Sequence, residues 1–265
     1  MLKYNLIGGP FQHAHSSTWW KKSKFIEWNK NDYSENVSFY VDDGIYQGLR
    51  DNFNGKKYAW NLESSAIFNI DFISKNINLM LDKFDLIFTM NQDLIKINSD
   101  KIKFVPAMGF WIETPKIYDK HKLLSMVSSN KGVTSGQRLR LKFISENKGK
   151  FDIFGRGFNE IKIKDEGIID YMFSVAIENS KYDDYFTEKI LDCFASGTIP
   201  IYYGTDNISN YFNLNGIIKL DDLNFDDLTP DLYYSKIDFI KENFEKVLEI
   251  EVLEDYIYKN YLSEL

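Results

Sequence analysis

The chain has one cysteine, Cys193, in 265 residues. An internal disulfide is therefore excluded, and a reducing compartment fits. No apolar run approaches the roughly 20 residues that a membrane-spanning helix needs. The opening Met1-Leu2-Lys3-Tyr4-Asn5-Leu6-Ile7-Gly8-Gly9 reads as a first strand and its turn rather than a signal peptide. Together these features read as a soluble cytoplasmic protein. Positive charge is not in excess either: 32 Lys and Arg stand against 39 Asp and Glu, a net charge of −7. That disfavours nucleic-acid binding through overall charge, while leaving room for a local basic groove. Histidine is scarce, with three in all. His13 and His15 form a His-x-His, but the further ligands of a metal site are missing and His121 is far away in sequence. Repeats and low-complexity linkers are absent.

What the chain does have is a hydrophobic content of 44% with 16% aromatics, which describes a folded protein with a sizeable core. Short apolar runs alternate with longer amphipathic ones. Strands are predicted at 4–8, 37–41, 57–62, 85–89 and 103–105, with a helix at 72–83. The second half repeats the rhythm, with strands at 123–128, 151–154, 171–177, 199–203 and 216–220. Helices there are predicted at 136–147, 187–196, 207–212 and 231–248, before a closing amphipathic stretch. The run 171–177 is almost wholly apolar, as in a parallel strand buried on both faces.

This alternation defines an α/β protein with mainly parallel sheets. The seam falls in 110–120, where Pro115 interrupts a polar stretch. Two Rossmann-like domains are expected, 1–115 and 116–265, with the closing stretch a candidate to pack back on the first. Ligands of such sheets sit beyond the carboxyl ends of strands.

One such end is Glu178-Asn179-Ser180, after 171–177. A polar loop follows, and Thr187 is placed to cap a helix that begins with Glu188 and Lys189. Free N–H groups and the helix dipole make that point an anion site. Lys189 adds a charge suited to a diphosphate, and Glu188 can accept hydrogen bonds from sugar hydroxyls. The same residues also fit an ordinary capped helix with Ile190, Leu191, Phe194 and Ala195 on its core face.

The stretch "AIENSKYDDYFTEKILDCFASGTIPIYYG", residues 176–204, resembles the signature of the α1,3-fucosyltransferase family. The resemblance rests on its Glu-Asn-Ser, a Tyr three residues before Glu-Lys, and the Pro-Ile-Tyr-Tyr-Gly strand. Upstream, "VSSNKGVTSGQRLRLKFI" (127–144) and "FDIFGRG" (151–157) resemble the family's Ser-Asn loop, arginine-bearing helix and following strand. "YAWNLESSAI" (58–67) resembles a strand ending in Glu-Ser-Pro, with Ser65 where the family has Pro.

The resemblance implies the GT-B architecture, two facing Rossmann-like domains, with acceptor on the first and nucleotide sugar on the second. It implies Glu63 as catalytic base and a donor site of Asn179, Tyr185, Glu188, Lys189 and the diphosphate-binding arginine. That arginine falls on Arg138, with Arg140 competing; each also reads as part of a solvated helix face. GDP-fucose is the implied donor and a glycan the implied acceptor, with no obligatory cofactor and no divalent metal required. Direct attack by the acceptor implies inversion. Two other readings stay open: a transferase that glycosylates modified DNA bases, and a nucleotide-sugar-binding protein without catalysis.

Other motifs weigh less. Val41-Asp42-Asp43-Gly44 reads as a polar turn rather than a metal site holding a diphosphate. The loop with His13 and His15 either lines the acceptor side or is plain surface. Trp19-Trp20 reads as core rather than a sugar platform, Cys193 as packing, and Asp221-Asp222 with Asp226-Asp227 as solvated loop.

Overall fold

The computed structural model describes residues 1–10, 14–18, 21–64, 70–106 and 109–264. The chain forms two units, one of Met1–Gly109 with Glu251–Leu265, the other of Phe110–Ile250.

The first unit is built on β1 (Leu2–Gly8), β2 (Ile26–Lys30), β3 (Val37–Val41), β4 (Lys56–Asn61), β5 (Leu86–Thr89) and β6 (Ile102–Phe104). All pair in parallel, in the order β2-β1-β3-β4-β5-β6. Neighbouring residues of a strand face opposite sides of the sheet, and here both sides are covered. Leu6, Phe39, Tyr58 and Phe88 enter one apolar cluster; Ile7, Tyr40, Ala59 and Ile87 enter the other. That double burial explains why the strands read as unbroken apolar runs rather than as alternation. Helices α1 (Gly44–Gly48), α2 (Ile70–Lys75), α3 (Ile77–Lys83) and α4 (Gln92–Ile95) cover the second cluster through Ile45, Ile73, Met80 and Leu94.

The end of the chain covers the first cluster, with Leu253, Ile257 and Leu262. Each such side chain contributes about 1.5–3 kcal/mol on burial. Glu254 fixes this tail: it is fully buried and accepts hydrogen bonds from Ser17 N (2.7 Å), Ser17 Oγ (2.7 Å) and Trp28 Nε1 (2.9 Å). A buried acid is tolerable because its acceptors are filled.

Several elements differ from expectation; the helix predicted at 207–212, for one, is a single 3-10 turn, Ile208–Asn210. The predicted helix at 72–83 breaks at Asn76, whose Nδ2 bonds back to Phe72 O at 2.8 Å and competes with the helical ladder. The helix predicted at 231–248 divides at Lys236. Strand β2 was not predicted, because Glu27, Asn29 and Lys30 of this edge strand break any apolar run.

The second unit carries β7 (Lys122–Val127), β8 (Asp152–Phe154), β9 (Tyr171–Ile177), β10 (Ile199–Tyr203) and β11 (Ile218–Lys219). They too are parallel, in the order β11-β10-β9-β7-β8. Every residue of β9 is buried, as expected of a central strand. Its helices are α5 (Ser135–Glu146), α6 (Glu188–Ser196), α7 (Pro230–Ser235) and α8 (Ile237–Leu248). Helix α6 stops at Gly197, whose φ of +71° is the left-handed cap that glycine adopts freely.

Both sheets follow one plan. The chain steps from the first strand to a neighbour on one side, then returns to the other side and continues outward. The order reverses between β1 and β3 in the first unit and between β7 and β9 in the second. Those reversals are where open α/β sheets bind ligands.

Candidate functional site

At the second unit's reversal, Glu178 follows β9, and its N–H continues the ladder to Tyr203 O at 2.8 Å. Its carboxylate then reaches the start of α6. Oε1 accepts from Thr187 N (2.8 Å) and Oε2 from Thr187 Oγ1 (2.7 Å). The Thr187 hydroxyl is thereby drawn to Glu178 and does not cap α6. The first-turn N–H groups of α6 lack a side-chain cap, which suits them to an anion.

Lys189 Nζ lies 2.8 Å from Thr187 Oγ1, 3.2 Å from Glu188 Oε1 and 3.4 Å from Glu178 Oε2. Lys164 Nζ approaches Glu188 from another element at 3.2 Å, bridges to Asp192 Oδ2 at 2.9 Å, and lies 4.3 Å from the centre of the Trp111 ring. Burial alone would push the Glu188 carboxyl up, but Lys164 and Lys189 outweigh it and hold the group well below the usual range. Asp192 shares only one of these lysines and lies beside Glu188; burial wins there, and its carboxyl is pushed up.

Helix α5 supplies the arginine. It opens with a reciprocal cap: Thr134 Oγ1 accepts from Gln137 N at 3.0 Å, and Gln137 Oε1 accepts from Thr134 N at 3.2 Å. Gly136 lies against the main chain after β9, where an added Cβ would stand 1.8 Å from Glu178 O, and its N–H donates to Asn179 O at 3.2 Å. Only glycine permits that approach. One turn later, on the same face, the buried Arg140 donates through Nη2 to Asn179 Oδ1. Burial lowers the proton affinity of this guanidinium, while Glu178 and Glu188 raise it; an arginine stays charged under both influences.

The structure thus brings Arg140, Asn179, Glu188 and Lys189 to one strand end. Arg138 is exposed on the other side of α5, with Nη1 donating to Val133 O at 2.6 Å. Tyr185 is buried and stacks on Tyr182, ring centres 4.6 Å apart. In the first unit, Glu63 follows β4, half buried, and its N–H donates to Asp42 Oδ1 at 3.0 Å. His15 is exposed. His13, Trp19, Trp20 and Ser65 lie outside the described residues.

Sequence reasoning gave no role to Glu178, Lys164 or Asp192. Glu178 lay inside the signature, while Lys164 lies 24 residues before Glu188 in a stretch without periodicity. Arg140 had a readable signal: Thr134-x-x-Gln137 marks the helix start, and Gly136 and Arg140 are four apart, hence on one face. As a whole the cluster can hold an anion between an arginine, a lysine and a helix end, and can offer Glu188 to hydroxyl groups.

The paired parallel-sheet units place the chain in the GT-B glycosyltransferase fold class. It is similar to an α1,3-fucosyltransferase crystallised with GDP, over 95% of this chain and 91% of that one, with TM-score 0.54 and 16% identity. It is also similar to Anabaena HepE in complex with UDP and glucose, over 100% of both chains, with TM-score 0.64 and 9% identity. At such identities the likeness is one of fold.

The family is read from the sequence. Residues 117–246, most of the second unit, match the model of glycosyltransferase family 10 (fucosyltransferase), C-terminal part, and this match supports assigning that unit to the family. A stretch of 111 residues, 39% of the chain, is 32% identical to the alpha-(1,3)-fucosyltransferase FucT of Helicobacter pylori, covering 22% of that protein. A stretch of 128 residues, 45% of the chain, is 30% identical to human 4-galactosyl-N-acetylglucosaminide 3-alpha-L-fucosyltransferase 9, covering 34% of it. The chain therefore matches only a fifth to a third of these relatives' lengths. Among the described residues no helix is long and apolar enough to cross a membrane.

Proposed function

We propose that the protein is an inverting glycosyltransferase that moves fucose from GDP-fucose to a hydroxyl of a glycan acceptor. The observation that carries this is the buried Arg140, bonded to Asn179 beside the uncapped start of α6, within the segment that matches family 10. In this reading the second unit binds the donor and the first the acceptor. Arg140, Lys189 and the N–H groups of α6 take the charge of the departing diphosphate. Glu188, kept ionised by its two lysines, accepts from sugar hydroxyls. Asn179 aims Arg140, and Tyr185, stacked on Tyr182, supports the stretch before α6. Arg138, on the exposed face, is assigned no contact with the diphosphate.

The bond from the anomeric carbon to the diphosphate oxygen breaks as the acceptor oxygen bonds to that carbon from the opposite face. Glu63 takes the hydroxyl proton, and GDP leaves. His13 and His15 are placed on the acceptor side. No metal is called on, because the cations at α6 supply the charge.

The test is thermal unfolding in the presence of GDP-, UDP-, CMP- and dTDP-sugars. A donor of micromolar affinity at millimolar concentration adds about 4 kcal/mol of stability. GDP-fucose is expected to raise the midpoint most. A larger shift with a UDP-sugar would overturn the donor assignment, and no shift with any of them would overturn the transferase reading. Binding without turnover on 4-galactosyl-N-acetylglucosaminide or other glycans would leave a binding protein.

A further inference from the structure

Asp42 lies at the reversal of the first sheet, immediately after β3, and takes the left-handed conformation with φ of +47°. Its own N–H donates to Trp60 O at 3.0 Å, which ties this corner to β4. Its side chain turns to the loop after β4. Oδ1 accepts from Leu62 N (2.8 Å), Glu63 N (3.0 Å) and Asn61 Nδ2 (3.4 Å). Asn61 Nδ2 also donates to Glu63 O at 3.2 Å, and Asn61 Oδ1 accepts from Thr89 Oγ1 at 3.3 Å. The N–H and the C=O of Glu63 are therefore both held, one by Asp42 and the other by Asn61, which Thr89 of β5 orients in turn.

We propose that Asp42 is a positioning residue for Glu63, fixing the main chain of the base through a single carboxyl oxygen. This rests on Glu63 being the base. Oδ2 of Asp42 is buried and has no hydrogen-bond partner among the described residues. Burial, reinforced by the charge of Glu63, pushes this carboxyl up to about 7 against the pull of the loop N–H groups. What the geometry uses of the group is Oδ1 as an acceptor. An asparagine can do the same work, because its amide oxygen can accept the same N–H bonds.

The experiment compares Asp42→Ala, Asp42→Asn and Glu63→Gln in the full chain. It follows GDP release from GDP-fucose with 4-galactosyl-N-acetylglucosaminide as acceptor, and amide hydrogen exchange at Leu62 and Glu63. Asp42→Ala is expected to lower kcat by about 10²-fold, the scale of a 1 Å misplacement, with KM for GDP-fucose unchanged and both amides exchanging faster. Asp42→Asn recovers most of both losses. If Asp42→Ala does not fold, Asn61→Ala loosens the carbonyl side of Glu63 and is expected to lower kcat alone. Unchanged amide exchange in Asp42→Ala would overturn the grip itself, and so would an asparagine no better than the alanine. Near-wild-type turnover by Glu63→Gln would instead overturn the base assignment, while the exchange data still decide the grip.

Discussion

An acid follows the third strand of each sheet, Asp42 after β3 and Glu178 after β9, and each grips main-chain N–H groups of a neighbouring segment. There the likeness ends. Glu178 uses both oxygens and has Lys189 at 3.4 Å. Asp42 uses one oxygen and, among the described residues, forms no ion pair. The consequence is visible in Glu188 and Asp42, whose proton affinities are displaced in opposite directions. Glu188, between Lys164 and Lys189, is held low, whereas Asp42 is pushed up to about 7 although three N–H groups point at it. Neutral donors do not offset burial here, and paired cations do, because an opposite charge a few ångström away in a poorly screened interior outweighs several dipoles. The second unit's cluster is built to keep charge, the first unit's to do without it.

The largest expected effect separates the two roles. Glu63→Gln should lower the transfer rate by about 10²–10⁴-fold, the usual share of a general base, while calorimetry shows unchanged GDP affinity. Weakened GDP binding in this variant would erase the division between a reacting unit and a donor-holding one.

Next is the pH dependence that Asp42 imposes. Its folded-state pKa is raised to about 7, so the folded protein keeps a proton that the unfolded chain gives up from about pH 4 upward. Stability from this group is fully present below about pH 4 and falls as pH rises to 7, by on the order of 4 kcal/mol. Asp42→Asn removes that slope. Urea unfolding from pH 4 to 8 should show the variant gaining on wild type as pH rises, and parallel curves would mean that Asp42 is ionised throughout.

The smallest effect tests the charged cluster. Arg140→Ala should weaken GDP binding by about 1.5–3 kcal/mol, the worth of a charge-assisted hydrogen bond. Arg138→Ala should stay within about 0.5 kcal/mol, as for an exposed side chain. The reverse order by calorimetry would return the diphosphate to Arg138 and leave Arg140 as an anchor for Asn179.

Much of this was legible in the residues. The apolar run of β9, the glycine that stops α6, and the 176–204 signature gave the second unit's sheet and the position of its candidate site. Strand β2 was not legible, since its pairing with β1 and the bond of Trp28 to Glu254 supply what its own composition lacks. The choice between Arg138 and Arg140 was not legible either. Spacing puts the two on different faces of α5, but only the approach of Gly136 to Glu178 O shows that the face of Arg140 is the one turned inward.

The sequence alone determined the alternation of strands and helices apart from β2, the parallel sheets that alternation imposes, and a strand end followed by a lysine-bearing helix start. These follow from propensities and periodicities that act over a few residues. Only the tertiary structure decided which charges meet. Lys164 reaches Glu188 across 24 residues and Asp192 across 28, and Glu254 reaches Ser17 across 237. Whether an acid stays ionised depends on how far water is excluded and on which cations are left inside, and neither is a property of the residues next to it in the chain.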